Sequence, residues 1–217
     1  MARYAYRNTY TWTPDLAYIV GLMASDGCLI NDRRHLNITS KDLEIINTFR
    51  SILEIKAKVR MKTGGFKTEA YDLMFGDVAL YDFLIEIGLT PAKSLTIGKL
   101  KIPNEFYADF LRGHFDGDGT VYGYRDTRWK SSYMYYVNFY GASLPFLQWM
   151  KENNQSLLKI QKGAIRSNGH IYMLSYAKAD SWGLFNAMYH PNCTYKLTRK
   201  YDKFVALLET NLYPNKE

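Results

Sequence analysis

Apolar residues recur at helical spacing early in the chain, where Leu16, Ile19, Val20 and Met23 share one face, so the pattern predicts a helix. Pro14 and Asp15 suit its opening turn, because proline lacks an amide hydrogen that this turn leaves unpaired and a carboxylate favours the positive helix end. Gly27 is placed for a left-handed residue just past the helix. Elsewhere the period changes to two. Alternating runs over Lys58 to Lys62 and Ala70 to Phe75 flank Gly64-Gly65, and those over Ala164 to Arg166 and Ile171 to Tyr176 flank Asn168-Gly169. Both pairs read as hairpins. Asp42 and Ser143 are expected to cap helices from Leu43 to Leu53 and from Leu144 to about Asn153.

These elements occur twice. The stretch from Asn37 to Leu43 falls on that from Asn138 to Leu144, and Tyr71 to Phe75 falls on Tyr172 to Tyr176, at a common offset of 101 (138 − 37). Each half then runs helix, hairpin, helix, hairpin, helix, which predicts an α+β protein of two αββαββα halves, residues 1–100 and 101–217, related by a pseudo-twofold axis. The connection from Gly88 to Pro103 contains Pro91 and Pro103.

The repeat is sharpest in two segments, Ile19-Val-Gly-Leu-Met-Ala-Ser-Asp-Gly27 and Leu111-Arg-Gly-His-Phe-Asp-Gly-Asp-Gly119. Gly21 and Ser25 lie four apart, as do Gly113 and Gly117, so each helix bears one face bare enough for close backbone approach. Packing those faces together brings the C-terminal ends side by side and sets Asp26 near Asp118. A carboxylate at a helix C-terminus opposes the macrodipole by ~0.3–1 kcal/mol, and a second carboxylate worsens its position. A cation is therefore expected there. Ligation by carboxylates, completed by water and phosphate, is magnesium chemistry. Asp118 follows Asp26 by 92 (118 − 26) rather than 101, so the second half carries about nine extra residues. They fall between Gly123 and Ser132, a basic and aromatic insert that would lengthen the hairpin after the second motif.

At 217 residues and 47% hydrophobic the chain can bury a substantial core and is not disordered. A net charge of +7 and a pI near 9.2 point to a polyanionic partner. Two scattered cysteines, Cys28 and Cys193, suit free thiols in a reducing compartment. No apolar run reaches the ~18–20 residues of a membrane span, and the expected location is intracellular.

The two segments resemble the paired motifs of single-chain LAGLIDADG homing endonucleases. Leu111 to Gly119 matches through Gly113, Asp116, Gly117, Asp118 and Gly119, whereas Ala24 replaces the first acidic residue in the first copy. The resemblance implies two four-stranded antiparallel sheets forming a saddle over double-stranded DNA, with the motif helices at its centre. It implies a monomer that makes a metal-dependent double-strand break with short 3′ overhangs in a long asymmetric site. Asp26 and Asp118 would bind Mg²⁺, helped by the main-chain carbonyls of Ser25 and Gly117, with Mn²⁺ or Ca²⁺ able to substitute for binding. Lys93, Lys200 and Lys41 match basic residues that order water and stabilise phosphate charge. Lys41 has no counterpart, because Ala142 occupies its repeat position.

The saddle is expected to read DNA through strand and loop residues. These are Arg33, Arg34, His35, Asn37, Thr39, Arg60, Lys62 and Lys67 in the first half, and Arg125, Arg128, Lys130, Tyr136, Asn138, Tyr140, Lys162, Arg166, Asn168 and His170 in the second. A competing expectation is a nucleic-acid binder that does not cut, such as an intron RNA maturase.

Overall fold

A computed structural model of the chain describes residues 9–63, 69–125, 127–128 and 133–212. Helix α1 (Pro14–Ser25) opens on Thr13, whose hydroxyl accepts from the Leu16 amide at 3.1 Å. Strands β1 (Gly27–Leu29) and β2 (His35–Ser40) form a hairpin, followed by α2 (Leu43–Ile52), strands β3 (Arg60–Thr63) and β4 (Glu69–Gly76), and α3 (Val78–Ile87). Gly88 ends α3 in the left-handed region at φ 106°, which glycine adopts without a Cβ penalty. The second half repeats the order with α4 (Tyr107–Asp118), β5 (Thr120–Arg125), β6 (Tyr133–Gly141), α5 (Leu144–Ser156), β7 (Ala164–Asn168), β8 (Ile171–Ala177) and α6 (Lys178–Met188). A last helix, α7 (Thr198–Leu212), follows. Phe204, Leu207 and Leu208 seat it on the core.

The strands make two four-stranded antiparallel sheets ordered β1-β2-β4-β3 and β5-β6-β8-β7. The ladders preserve the repeat, for Cys28 faces Asn37 as Thr120 faces Asn138, and Asn37 faces Met74 as Asn138 faces Ser175. Strands β5 and β6 outrun β1 and β2, as the insert requires. Alternation puts Leu36, Ile38, Leu73 and Phe75 of one sheet, and Val121, Val137, Phe139, Leu174 and Tyr176 of the other, into one core beneath the helices. The opposite faces are open.

Three local expectations fail. Gly27 is not left-handed; it opens β1 directly after Asp26, and a Cβ there would strike Met23 within 2.7 Å. Neither Asp42 nor Ser143 caps its helix with its side chain. The Asp42 carboxylate is taken by Arg199, at 2.6 and 2.5 Å, and the Ser143 hydroxyl donates to the Ile97 carbonyl at 2.5 Å. In both cases a tertiary partner outcompetes the local one. The turn containing Gly64-Gly65 lies outside the described residues.

Candidate functional site

Helices α1 and α4 touch along their small residues. A Cβ on Gly21 would lie 2.2 Å from the Phe110 carbonyl oxygen, and one on Gly113 would lie 2.1 Å from that of Tyr18. At the far end, a Cβ on Gly117 would meet the Ser25 Oγ at 2.0 Å and an Asp26 carboxylate oxygen at 3.3 Å. Asp26 therefore lies against the turn that ends in Asp118. Burial raises the Asp26 pKa to about 7, the Asp118 charge adds to the rise, and Lys200 and Lys93 oppose it. Burial likewise raises Asp118, against the same two lysines. Partial desolvation and a like charge make an unneutralised pair costly, although Asp118 still reaches solvent.

Both lysines, unlike the aspartates, are buried. Lys93, in a single 3-10 turn between the halves, donates to the Gly27 carbonyl. Lys200, on the first turn of α7, donates to the Phe115 and Gly117 carbonyls at 2.7 and 2.8 Å, and burial lowers its pKa to about 8. Lys200 thus secures the end of α4, and Lys93 the chain just past the end of α1. Lys41 is not drawn in; it is exposed in the bend after β2 with no hydrogen bond or ion pair to either aspartate. The Ser25 hydroxyl folds back on the Leu22 carbonyl at 3.1 Å. A cavity of about 70 Å³ reaches Ser25, Lys93, His114, Asp118 and Tyr140.

These donors fit a hard cation. Two carboxylates and nearby main-chain carbonyls are all oxygen, and no third acidic, histidine or cysteine side chain joins them among the described residues. Such a set leaves coordination positions for phosphate and water.

Around this centre α4 carries buried polar groups whose roles sequence reasoning missed. Asp116 accepts from the Tyr18 hydroxyl and the Leu197 amide, both at 2.8 Å, and burial lifts its pKa to about 6. Arg112 donates to the carbonyls of Tyr195 and Met188 and pairs with Asp109, each at 2.8 Å. Its guanidinium carbon lies 5.3 Å from the Tyr18 ring centre. His114 is packed among Phe110, Phe139 and Phe146 with its Nδ1 unpartnered, and burial drives its pKa down to about 3. Arg112, His114 and Asp116 stand inside the second motif, so their positions were legible although their partners were not.

Of the residues expected to read nucleic acid, register and alternation place His35, Asn37, Thr39, Arg60 and Lys62 on the open face of the first sheet, and Tyr136, Asn138, Tyr140 and Arg166 on that of the second. Arg33 and Arg34 occupy the exposed loop before β2, Arg33 with φ 60°. Arg125 ends β5 opposite Tyr133, with the parity of the core side. Arg128 and His170 lie in exposed turns, Lys162 precedes β7 with its amide bonded to Asp180, and Asn168 ends β7. Lys67 and Lys130 lie outside the described residues. Asn37 and Asn138 are buried, at 9% and 1% exposure. Their amides therefore offer little to a ligand.

The two open faces also hold groups not singled out from the sequence. Asp72 sits at the centre of the first, and on the second Tyr122 and Tyr124 stack against Tyr136 with ring centres 5.4 and 6.2 Å from it.

Fold and helix pair together define a two-motif LAGLIDADG architecture, and comparison agrees. Residues 13–88 match the family described as LAGLIDADG-like domain. The fold is that of the LAGLIDADG homing endonucleases. Meganuclease I-SmaMI bound to uncleaveable DNA is similar at 13% identity and TM-score 0.63, over 94% of this chain and 92% of that one. I-DmoI in complex with DNA and Mn is similar at 16% identity and TM-score 0.52, over 83% and 98%. Full-length DUF199/WhiA from Thermatoga maritima shares the fold at 12% identity and TM-score 0.58, this chain covering 92% of itself and 62% of that chain. No curated protein matches the sequence. Both cysteines are free, and no helix among the described residues is long and apolar enough to cross a membrane.

Proposed function

We propose that the protein is a site-specific, metal-dependent endodeoxyribonuclease that cuts both strands of a long asymmetric site. The observation that carries this reading is the pair of carboxylates, half-buried Asp26 and solvent-reaching Asp118, at adjoining ends of two glycine-packed helices and flanked by two buried lysines. The aspartates would hold Mg²⁺ with carbonyl oxygens of Ser25 and Gly117. Bound metal supplies an activated water and neutralises charge on the phosphate and leaving oxygen. Lys93 and Lys200 hold positive charge where a phosphodiester between the helix ends would accumulate negative charge. The open sheet faces lie along the duplex and read base edges in the major groove. One carboxylate per motif accounts for a single chain that acts as a monomer, cuts two strands and leaves short 3′ overhangs. Such breaks suit intron homing in an intracellular setting.

The test begins with a site recovered from a randomised duplex library. Incubation with that site and Mg²⁺ is expected to convert supercoiled plasmid to linear product. Tight binding without a nick in either strand overturns the catalytic reading. Binding should weaken steeply with salt, since displaced counterions drive it.

A reading without cleavage, such as an RNA maturase, draws on Ala24 in the first motif and on both lysine ammoniums already being bonded to carbonyls. Rescue of intron splicing with no cleavage would favour it.

A further inference from the structure

On the open face of the first sheet a single carboxylate gathers three of its neighbours. Asp72, on β4, faces Thr39 of β2 on one side and Arg60 of β3 on the other. Its Oδ1 accepts from the Asn37 amide at 2.8 Å and the Thr39 hydroxyl at 2.9 Å, and it pairs with the Lys62 ammonium. The Thr39 hydroxyl also lies 3.2 Å from the Asn37 Oδ1, and the Asn37 amide reaches the Leu73 carbonyl at 3.3 Å. Asp72 is 3% exposed, whereas the Lys62 side chain over it is 54% exposed. Burial pushes the Asp72 carboxyl upward, but hydrogen bonds from Lys62, Asn37 and Thr39 outweigh it and hold the pKa below the ordinary value.

A buried anion on a face meant for a polyanion is costly unless it organises something. Here it occupies one amide and one hydroxyl and orients one ammonium. We propose that Asp72 is a positioning residue for base specificity, turning Asn37 and Thr39 inward and holding the Lys62 ammonium so that its remaining hydrogens meet the acceptors of one guanine. The inference rests on the DNA-binding reading above. Lysine donation to guanine O6 and N7 is a common major-groove contact, and Asp72 restricts the directions from which it can come. The second half lacks the device: at the repeat position Met173 lies between Tyr140 and Arg166.

The experiment measures relative affinity for every single-base-pair variant of the selected site. Wild type is expected to prefer guanine at one position of the first half-site by about 10-fold. Asp72→Asn, nearly isosteric, should reduce that preference to about 2-fold while strengthening binding to unrelated duplex. Lys62→Met, at an exposed side chain, should flatten the same position, and the double variant should do no more than either single one. A merely structural role for Asp72 would shift all positions alike. The proposal is overturned if Asp72→Asn leaves the preference profile unchanged or shifts it uniformly, or if Lys62→Met flattens a different position. A wild-type protein that enriches no duplex overturns the DNA-binding reading itself.

Discussion

The two motif helices occupy equivalent places and bury opposite chemistry. Where α1 buries Ala17, Val20, Leu22 and Ala24, α4 buries Asp109, Arg112, His114 and Asp116 at the corresponding positions. All of this polar set but His114 is answered by the end of α6 and the segment after it. Arg112 takes the carbonyls of Met188 and Tyr195, His190 lies 3.1 Å from Asp109, and Asp116 receives the Leu197 amide. That segment then delivers Lys200 to the end of α4. Arg199 and Thr198 fasten the start of α7 across the molecule to Asp42, just before α2, and to Glu44 within it. Charge inside α4 is thus what docks the C-terminal chain and its lysine. The first half reaches the same end by a shorter route, with Lys93 presented from the connection between halves.

The open faces differ in the same sense. The first carries a hydrogen-bonded carboxylate network, the second a stack of tyrosines. Phenol rings stacked on each other are stiff and uncharged, so the second sheet presents hydroxyl edges beside Arg166 where the first presents an ammonium held by a carboxylate. Under the proposed function, such unequal faces would suit an asymmetric DNA site.

The comparison can be broken most forcefully at the centre. Asp26→Asn and Asp118→Asn should each lower double-strand cleavage by about 10³-fold or more while leaving binding largely intact. Strand-labelled duplex shows whether each variant still nicks one strand, and unchanged cutting by either rejects its metal role. Next comes the helix contact. Gly113→Ala drives a methyl into the Tyr18 backbone and should cost about 3 kcal/mol in urea unfolding. Gly117→Ala meets mainly the Ser25 side chain and should cost less.

Asp116→Ala copies Ala24 into the second motif. It strands the buried Tyr18 hydroxyl and Leu197 amide, for about 2 kcal/mol, and should slow cleavage by loosening Lys200. Unchanged stability would show that the C-terminal segment docks without this carboxylate.

The smallest effect is titrational. His114 holds a folded pKa of about 3 against an ordinary 6.5, so its contribution to stability is complete above pH 6.5 and is lost as pH falls toward 3. His114→Leu, matching Leu22, removes that loss. At pH 5.5 the variant should retain about 1 kcal/mol that wild type forfeits. The raised carboxyls, including Asp26 and Asp116, push stability the other way as pH falls, and being common to both proteins they cancel in the difference. Parallel curves for the two proteins would place the acid sensitivity elsewhere.

The helix pair, the two hairpins in each half and the repeat were legible because period, glycine spacing and turn residues act over a few neighbours. Asp26 and Asp118 were legible for the same reason, each standing at a fixed distance from small residues on one helix face. Asp72 gave no such signal, since its meaning comes from Asn37 and Thr39 on one neighbouring strand and Lys62 on another. Asp42 and Ser143 show local preference losing to partners brought from α7 and from the connection between the halves. The sequence by itself determined the elements, their duplication and the pair of carboxylates, through interactions that are short-range along the chain. Only the tertiary structure decided what α4 does with its buried charges, which lysines reach the centre and which polar strand side chains are already hydrogen-bonded. Those outcomes depend on desolvation and on hydrogen bonds between residues far apart in the chain, which spacing along the chain cannot convey.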